Sequence, residues 1–130
     1  MRLLGRFKLR PIVPGEAEGE AVVVDSISFY GDVDPDTGRL SDGRSIAGKI
    51  LVARSSRGST VGSYVIYALK ANGVAPRAVV MGRSEPIVIA GAVIAGLPLY
   101  DRAPEEMFRV VKDGYIIRIS GGEALVLGPA

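Results

Sequence analysis

Neither cysteine nor histidine occurs anywhere in the 130 residues. Without cysteine there is no disulfide, no thiolate nucleophile, and no iron–sulfur cluster ligated by this chain alone. Without histidine the commonest general base and zinc ligand is missing, and no serine here can join a His-based triad. Aromatic residues are only 6% of a chain that is 48% hydrophobic, so the core must be built largely from Val, Ile, Leu and Ala. They are also too sparse to suggest a base-stacking platform. A strong excess of one charge is absent too. Sixteen basic against 14 acidic residues leave +2, too little to hold a nucleic-acid backbone strongly but suited to a small anion. The N-terminus has no signal-peptide stretch, and the most apolar run, "PIVIAGAVIAGLPLY" at 86–100, is too short and too broken by Gly and Pro to span a membrane. These exclusions lead to the expectation of a soluble cytoplasmic protein with neither nucleic acid nor membrane as partner.

What is present reads as one domain over residues 1–130, long enough to bury a core without staples. With 17 Gly and 8 Pro, turns are frequent and elements short. "RFKLR" (6–10) alternates charged and apolar residues, so 5–13 reads as a first strand with one wet face, ended by Pro14-Gly15. A second strand over Glu20 to Asp25 has a continuous apolar centre, which implies burial on both faces. The polar stretch 31–48 is a long loop. Its "DVDPDTG" has the acidic spacing of a calcium loop, but the glycine comes one place late and Gly43 stands where a closing Glu is needed, so turn chemistry accounts for it. "GKILVAR" (48–54) is a central strand. From Thr60 the spacing turns helical, with Val61, Tyr64, Val65, Ala68 and Leu69 on one face and Asn72-Gly73 as the stop. "PRAVVM" completes a βαβ unit of parallel strands. An Ala/Gly-rich buried helix opened by Pro86, a short strand in "LPLYD", a helix in "APEEMFRVVKDG" and a hairpin across Gly121-Gly122 follow. The expected class is α/β, strand-rich.

The βα loop "RSSRGST" (54–60) is where chemistry could sit. Ser59 falls just before the helical run, the N-cap position, where its oxygen would satisfy an unpaired amide. In one reading Ser59 caps, Gly58 turns, and Ser55, Ser56 and Arg57 are merely solvated. In the other, the helix N-terminus and Arg57 hold an anion, and the same field favours a serine alkoxide as base. A free serine hydroxyl is far too weak an acid for this without positive surroundings. No His or metal ligand set occurs here, so part of those surroundings must come from another chain.

"GEAEGEAVV" (15–23), "SISFYGDVDPDTGRL" (26–40), "IAGKILV" (46–52), "RGSTVGSYV" (57–65) and "NGVAPRAVV" (72–80) occur in order across nearly the whole chain. Each is weak alone, but together they closely resemble the small-subunit branch of the aconitase X family, the archaeal phosphomevalonate dehydratases. The resemblance implies a swivelling β/β/α domain like the fourth domain of aconitase, here a separate polypeptide. It implies no cofactor on this chain, and a large subunit whose cysteines hold an iron–sulfur cluster. The implied reaction is loss of water from mevalonate 5-phosphate to give trans-anhydromevalonate 5-phosphate, in a modified archaeal mevalonate pathway. The chain would act only as a complex with the large subunit.

In that superfamily a serine of this loop abstracts the substrate proton. A superficial match to the Ser-Ser-Arg of aconitase would select Ser55 to Arg57. Alignment on the helix start selects Ser59 in "GST" instead, and the helix N-terminus favours the same choice. Arg57 with the Gly58, Thr60 and Gly62 amides would hold substrate or the serine's charge, with Ser63 one turn into the helix a further candidate. Asp34, in the matching "SFYGDVD", is a candidate for the substrate cleft. Glu16, Glu18 and Glu20 match a family motif that a turn into a strand largely explains. Two other functions compete: the small subunit of an aconitase X-type hydroxyproline dehydratase, and a non-catalytic small-anion-binding module. A phospho-carrier of this fold class would need the histidine that is absent.

Overall fold

The computed structural model describes residues 2–58 and 61–129. The elements in order are β1 (Gly5–Lys8), β2 (Arg10–Val13), β3 (Ala17–Ile27), α1 (Phe29–Asp32), β4 (Ile50–Ser56), α2 (Gly62–Ala71), β5 (Ala78–Met81), α3 (Pro86–Ala95), β6 (Leu99–Asp101), α4 (Glu105–Val110), β7 (Tyr115–Ser120) and β8 (Glu123–Pro129). The described strands form one eight-stranded sheet in the order β1-β8-β7-β3-β4-β5-β6-β2. Strands β3, β4, β5 and β6 run parallel, as the two βα crossovers between β4 and β6 require. The rest pair antiparallel, and β3 is long enough to serve both halves: its start pairs with β7 and its end with β4.

Register explains the layers. Val22, Leu51, Val79 and Leu99 form one row across the parallel strands. They pack with Val65, Ile66, Leu69, Val88 and Ala92 of α2 and α3. The next row, Val52, Val80 and Tyr100, points to the opposite face and meets Ile117, Ile119, Ala124 and Val126 of the antiparallel half, together with Met107 of α4. Alternation at period two thus feeds two cores, and the result is a β/β/α sandwich of three layers. β4 lies at the centre, with Ile50 to Ala53 fully buried.

Three expectations are corrected. The segment 5–13 is two strands, because the chain breaks at Leu9, whose amide donates to Gly122 O (2.8 Å). β1 lies at one end of the strand order and β2 at the other, so this one-residue link draws the sheet round until its own edges are joined. Helix α2 begins at Gly62 with Val61 as N-cap, so its cap is not Ser59. Its buried stripe is Gly62, Val65, Ile66 and Leu69, whereas Tyr64 is 74% exposed, because the helix packs against α3 as well as the sheet. The helix stop at Asn72-Gly73, Pro86 at the start of α3 and the β7–β8 hairpin stand where the sequence puts them.

Candidate functional site

The loops after β3, β4 and β5 gather at the carboxyl ends of the parallel strands, where open α/β sheets place their ligands. The β3–β4 ladder runs one bond past the strands, with Arg57 N donating to Ile27 O (2.9 Å). Beyond that bond the Arg57 side chain turns back on the β3–α1 corner. Its Nη1 donates to Ser26 Oγ (2.6 Å) and its Nη2 to Asp32 Oδ2 (2.9 Å). The corner is itself fixed: Ser28 caps α1 by accepting from Gly31 N (3.1 Å), and Asp32 Oδ2 accepts from Ser28 N (2.9 Å). Arg57 is therefore held by backbone and side chain, immediately before Gly58.

Beneath the loop lies a cavity of about 40 Å³ lined by Phe29, Ser56, Arg57, Gly58, Gly62 and Glu85, among others. Ser56 Oγ donates to Glu85 Oε1 (3.3 Å) across it. Glu85 is the N-cap residue of α3 yet makes no capping bond there. Its loop is secured next door, where Ser84 Oγ donates to Asp101 Oδ2 (2.6 Å). Asp101 is 2% exposed and receives both Nε and Nη2 of Arg10, each at 2.7 Å, from the opposite position on β2. The Arg10 guanidinium holds the Asp101 carboxyl below the usual carboxylate range, with Ser84 acting in the same direction against the effect of burial. Arg54 is spoken for as well. It bridges Glu105 and Asp25 and lies 4.8 Å over the Phe108 ring, and its hydrogen bond lowers the pKa of Glu105.

Of the residues selected from sequence, Ser59 and Thr60 lie outside the described residues. Arg57 and Gly58 border the cavity, and Gly62, the first and a buried residue of α2, lines it too. Ser63 follows in the first turn of α2 and is half-buried. Ser55 sits opposite Ser26 in the β3–β4 ladder. Asp34 is in a turn, accepting from Asp36 N (2.9 Å), as Asp42 accepts from Arg44 N (3.0 Å); the acidic loop is built from such local turns. The carboxylates near Arg57 and the cavity are Asp32 and Glu85, which sequence reasoning did not single out. A readable signal existed for Asp32: Ser28 begins an Asx/ST-type cap, and an acid four residues on can bond back to its amide. Nothing in the sequence pairs Glu85 with Ser56. Among the described residues no group of three Asp or Glu side chains gathers to hold a metal, and a chain without Cys or His has no ligands for an iron–sulfur cluster.

The family model of the aconitase X swivel domain matches residues 6–127. The chain belongs to this family. Among aconitase X relatives, it is 64% identical over 125 residues to a phosphomevalonate dehydratase small subunit of Aeropyrum pernix, covering 95% of each chain. To the Thermococcus onnurineus protein of the same name it is 48% identical, covering 93% of this chain and 96% of the other. The crystal structure of Thermococcus kodakaraensis aconitase X in its holo form superposes with a TM-score of 0.88 at 45% identity, over 95% of this chain and 98% of that one. The three-layer architecture is thus that of the aconitase X swivel domain.

Proposed function

We propose that this aconitase X swivel domain is the small subunit of a phosphomevalonate dehydratase, a hydro-lyase that works only with its large subunit. The observation that carries the reading is the match to proteins of that name over about the whole length of both chains, at up to 64% identity among those compared. Mevalonate 5-phosphate would lose water to give trans-anhydromevalonate 5-phosphate. Because this chain offers no thiolate, the iron–sulfur cluster belongs in this reading to the large subunit.

The chain's contribution is the loop that follows β4. Ser59, two residues beyond Arg57, is the proton acceptor: as an alkoxide its oxygen takes a proton from the carbon adjacent to the one bearing the departing hydroxyl, and the C–O bond breaks as the double bond forms. The Gly58, Thr60 and Gly62 amides and Ser63 are the groups nearest in sequence that could steady the anion. Asp34 keeps only a peripheral part, since its carboxylate serves a turn.

The test is reconstitution. The chain alone should be inactive, and mixing with the large subunit under anaerobic conditions should restore dehydration, read by mass spectrometry. Ser59→Ala should lower kcat at least about 10²- to 10⁴-fold, the range for loss of a positioned proton acceptor, while the pair still co-elutes. A near-normal rate would sink the serine assignment. Turnover of a hydroxyproline derivative in place of mevalonate 5-phosphate would move the chain to the other branch of the family.

A further inference from the structure

We propose that Asp32 is a positioning residue for this site: by gripping Arg57 together with Ser26, it fixes where the 57–60 loop begins and hence where its serine stands. The inference rests on the dehydratase reading and deepens it.

A guanidinium bound at one point can pivot; one bound through two nitrogens to two elements cannot. Arg57 is tied to Ser26 on β3 and to Asp32 at the end of α1, at 2.6 and 2.9 Å. Asp32 in turn cannot swing, since the same Oδ2 accepts the Ser28 amide at 2.9 Å. The next residue, Gly58, has no side chain, and among the described residues a Cβ placed there would meet nothing closer than Ser28 Oγ at 3.8 Å. Among the described residues, the bonds of Arg57 are thus the last that tie the chain before Ser59.

Charge supports positioning over attraction. The Arg57 charge is offset by the Asp32 carboxylate 2.9 Å away, which favours a geometric part for it over attraction of an anion. Nor is stability the evident purpose. The pair is half in solvent, with the Arg57 side chain 57% exposed, and exposed ion pairs contribute little to folding. A clamp of small thermodynamic value, built from residues of three segments and set beside the reacting loop, is best explained by orientation.

The experiment uses the reconstituted two-subunit enzyme. Asp32→Asn keeps the size but replaces the charge-assisted bond to Arg57 with a weaker neutral one, so the guanidinium is no longer held fast. It should lower kcat about 10- to 100-fold, the scale of a misplacement near an ångström. KM should hold within about threefold, as expected when transition-state geometry rather than uniform binding is lost. The thermal midpoint and co-elution should be unchanged. Arg57→Lys, which cannot span both anchors, should behave alike, and the double variant should be no worse than Arg57→Lys alone, because both act through one contact. An unchanged kcat, a rise in KM alone, or additive losses would overturn the proposal. Should Asp32→Asn fail to fold, Ser26→Ala and Arg57→Lys break the same clamp from its other side. A wild-type pair that does not dehydrate mevalonate 5-phosphate would instead sink the functional reading, and with it the site that Asp32 serves.

Discussion

Asp101 shows how a single buried charge is used away from the chemistry. It is paired by Arg10 and Ser84 rather than exposed to solvent, and it joins β2, β6 and the loop that carries Glu85. Its carboxyl titrates lower in the folded chain than its ordinary value of 3.8. The stabilisation is therefore complete above that value and fades as pH falls through the folded pKa. Asp101→Asn should cost about 1–3 kcal/mol near neutrality, the worth of charged hydrogen bonds at a buried acceptor. Urea titrations should show the gap between wild type and variant closing in acid; an equal gap at both pH values would locate its source elsewhere. At this scale the sequence was legible in part. Arg57 and the surrounding loop are conspicuous as an Arg/Ser/Gly cluster between strand and helix, whereas Asp32 is one of several acids in a polar stretch. What distinguishes it from Asp34 is a contact to a residue 25 positions away, which no local pattern encodes.

Elements with strong local signals were legible, and their neighbours were not. Pro86 and the Ala/Gly composition define α3, and the apolar run of β4 declares its centrality. The four-residue α1 has too few positions to show a period. The spacing places Val65 and Leu69 of α2 correctly in the core, but Val61 and Tyr64 are exposed because the buried side is set also by α3, which approaches at Gly91. A Cβ on Gly91 would stand 2.9 Å from the Ser63 Cα and 2.9 Å from Ile66 Cδ1. Gly91→Ala should raise helix propensity by about 1 kcal/mol, yet the clash is with backbone and cannot be relieved by a rotamer. Overpacking should win, for a net loss of about 1–3 kcal/mol. Chemical denaturation measures the loss, and activity of the assembled pair should fall with it as the first turn of α2 is pushed aside. A stabilised variant would show that the two helices separate freely.

The whole molecule depends on closure. Alternation over 6–10 gives the right faces there, but the 5–13 segment conceals that its halves belong to opposite edges of the sheet, a fact decided only by partners near residues 101 and 126. Leu9, at the joint, is 6% exposed within the core shared by both halves. Leu9→Ala should cost about 2–5 kcal/mol, as for other buried leucines, and should lower the denaturation midpoint in a single transition. Separate transitions for the parallel and antiparallel halves would show that the joint does not couple them. The same joint sets a timetable for the growing chain. Gly5 pairs with Val126, so β1 waits for a strand synthesised about 120 residues later before it has a neighbour. Contacts so distant in sequence fold slowly, and until β8 emerges the edge it will share with β1 has no partner. A shape sealed by β1 and β8 closes only after the whole stretch between them has been made.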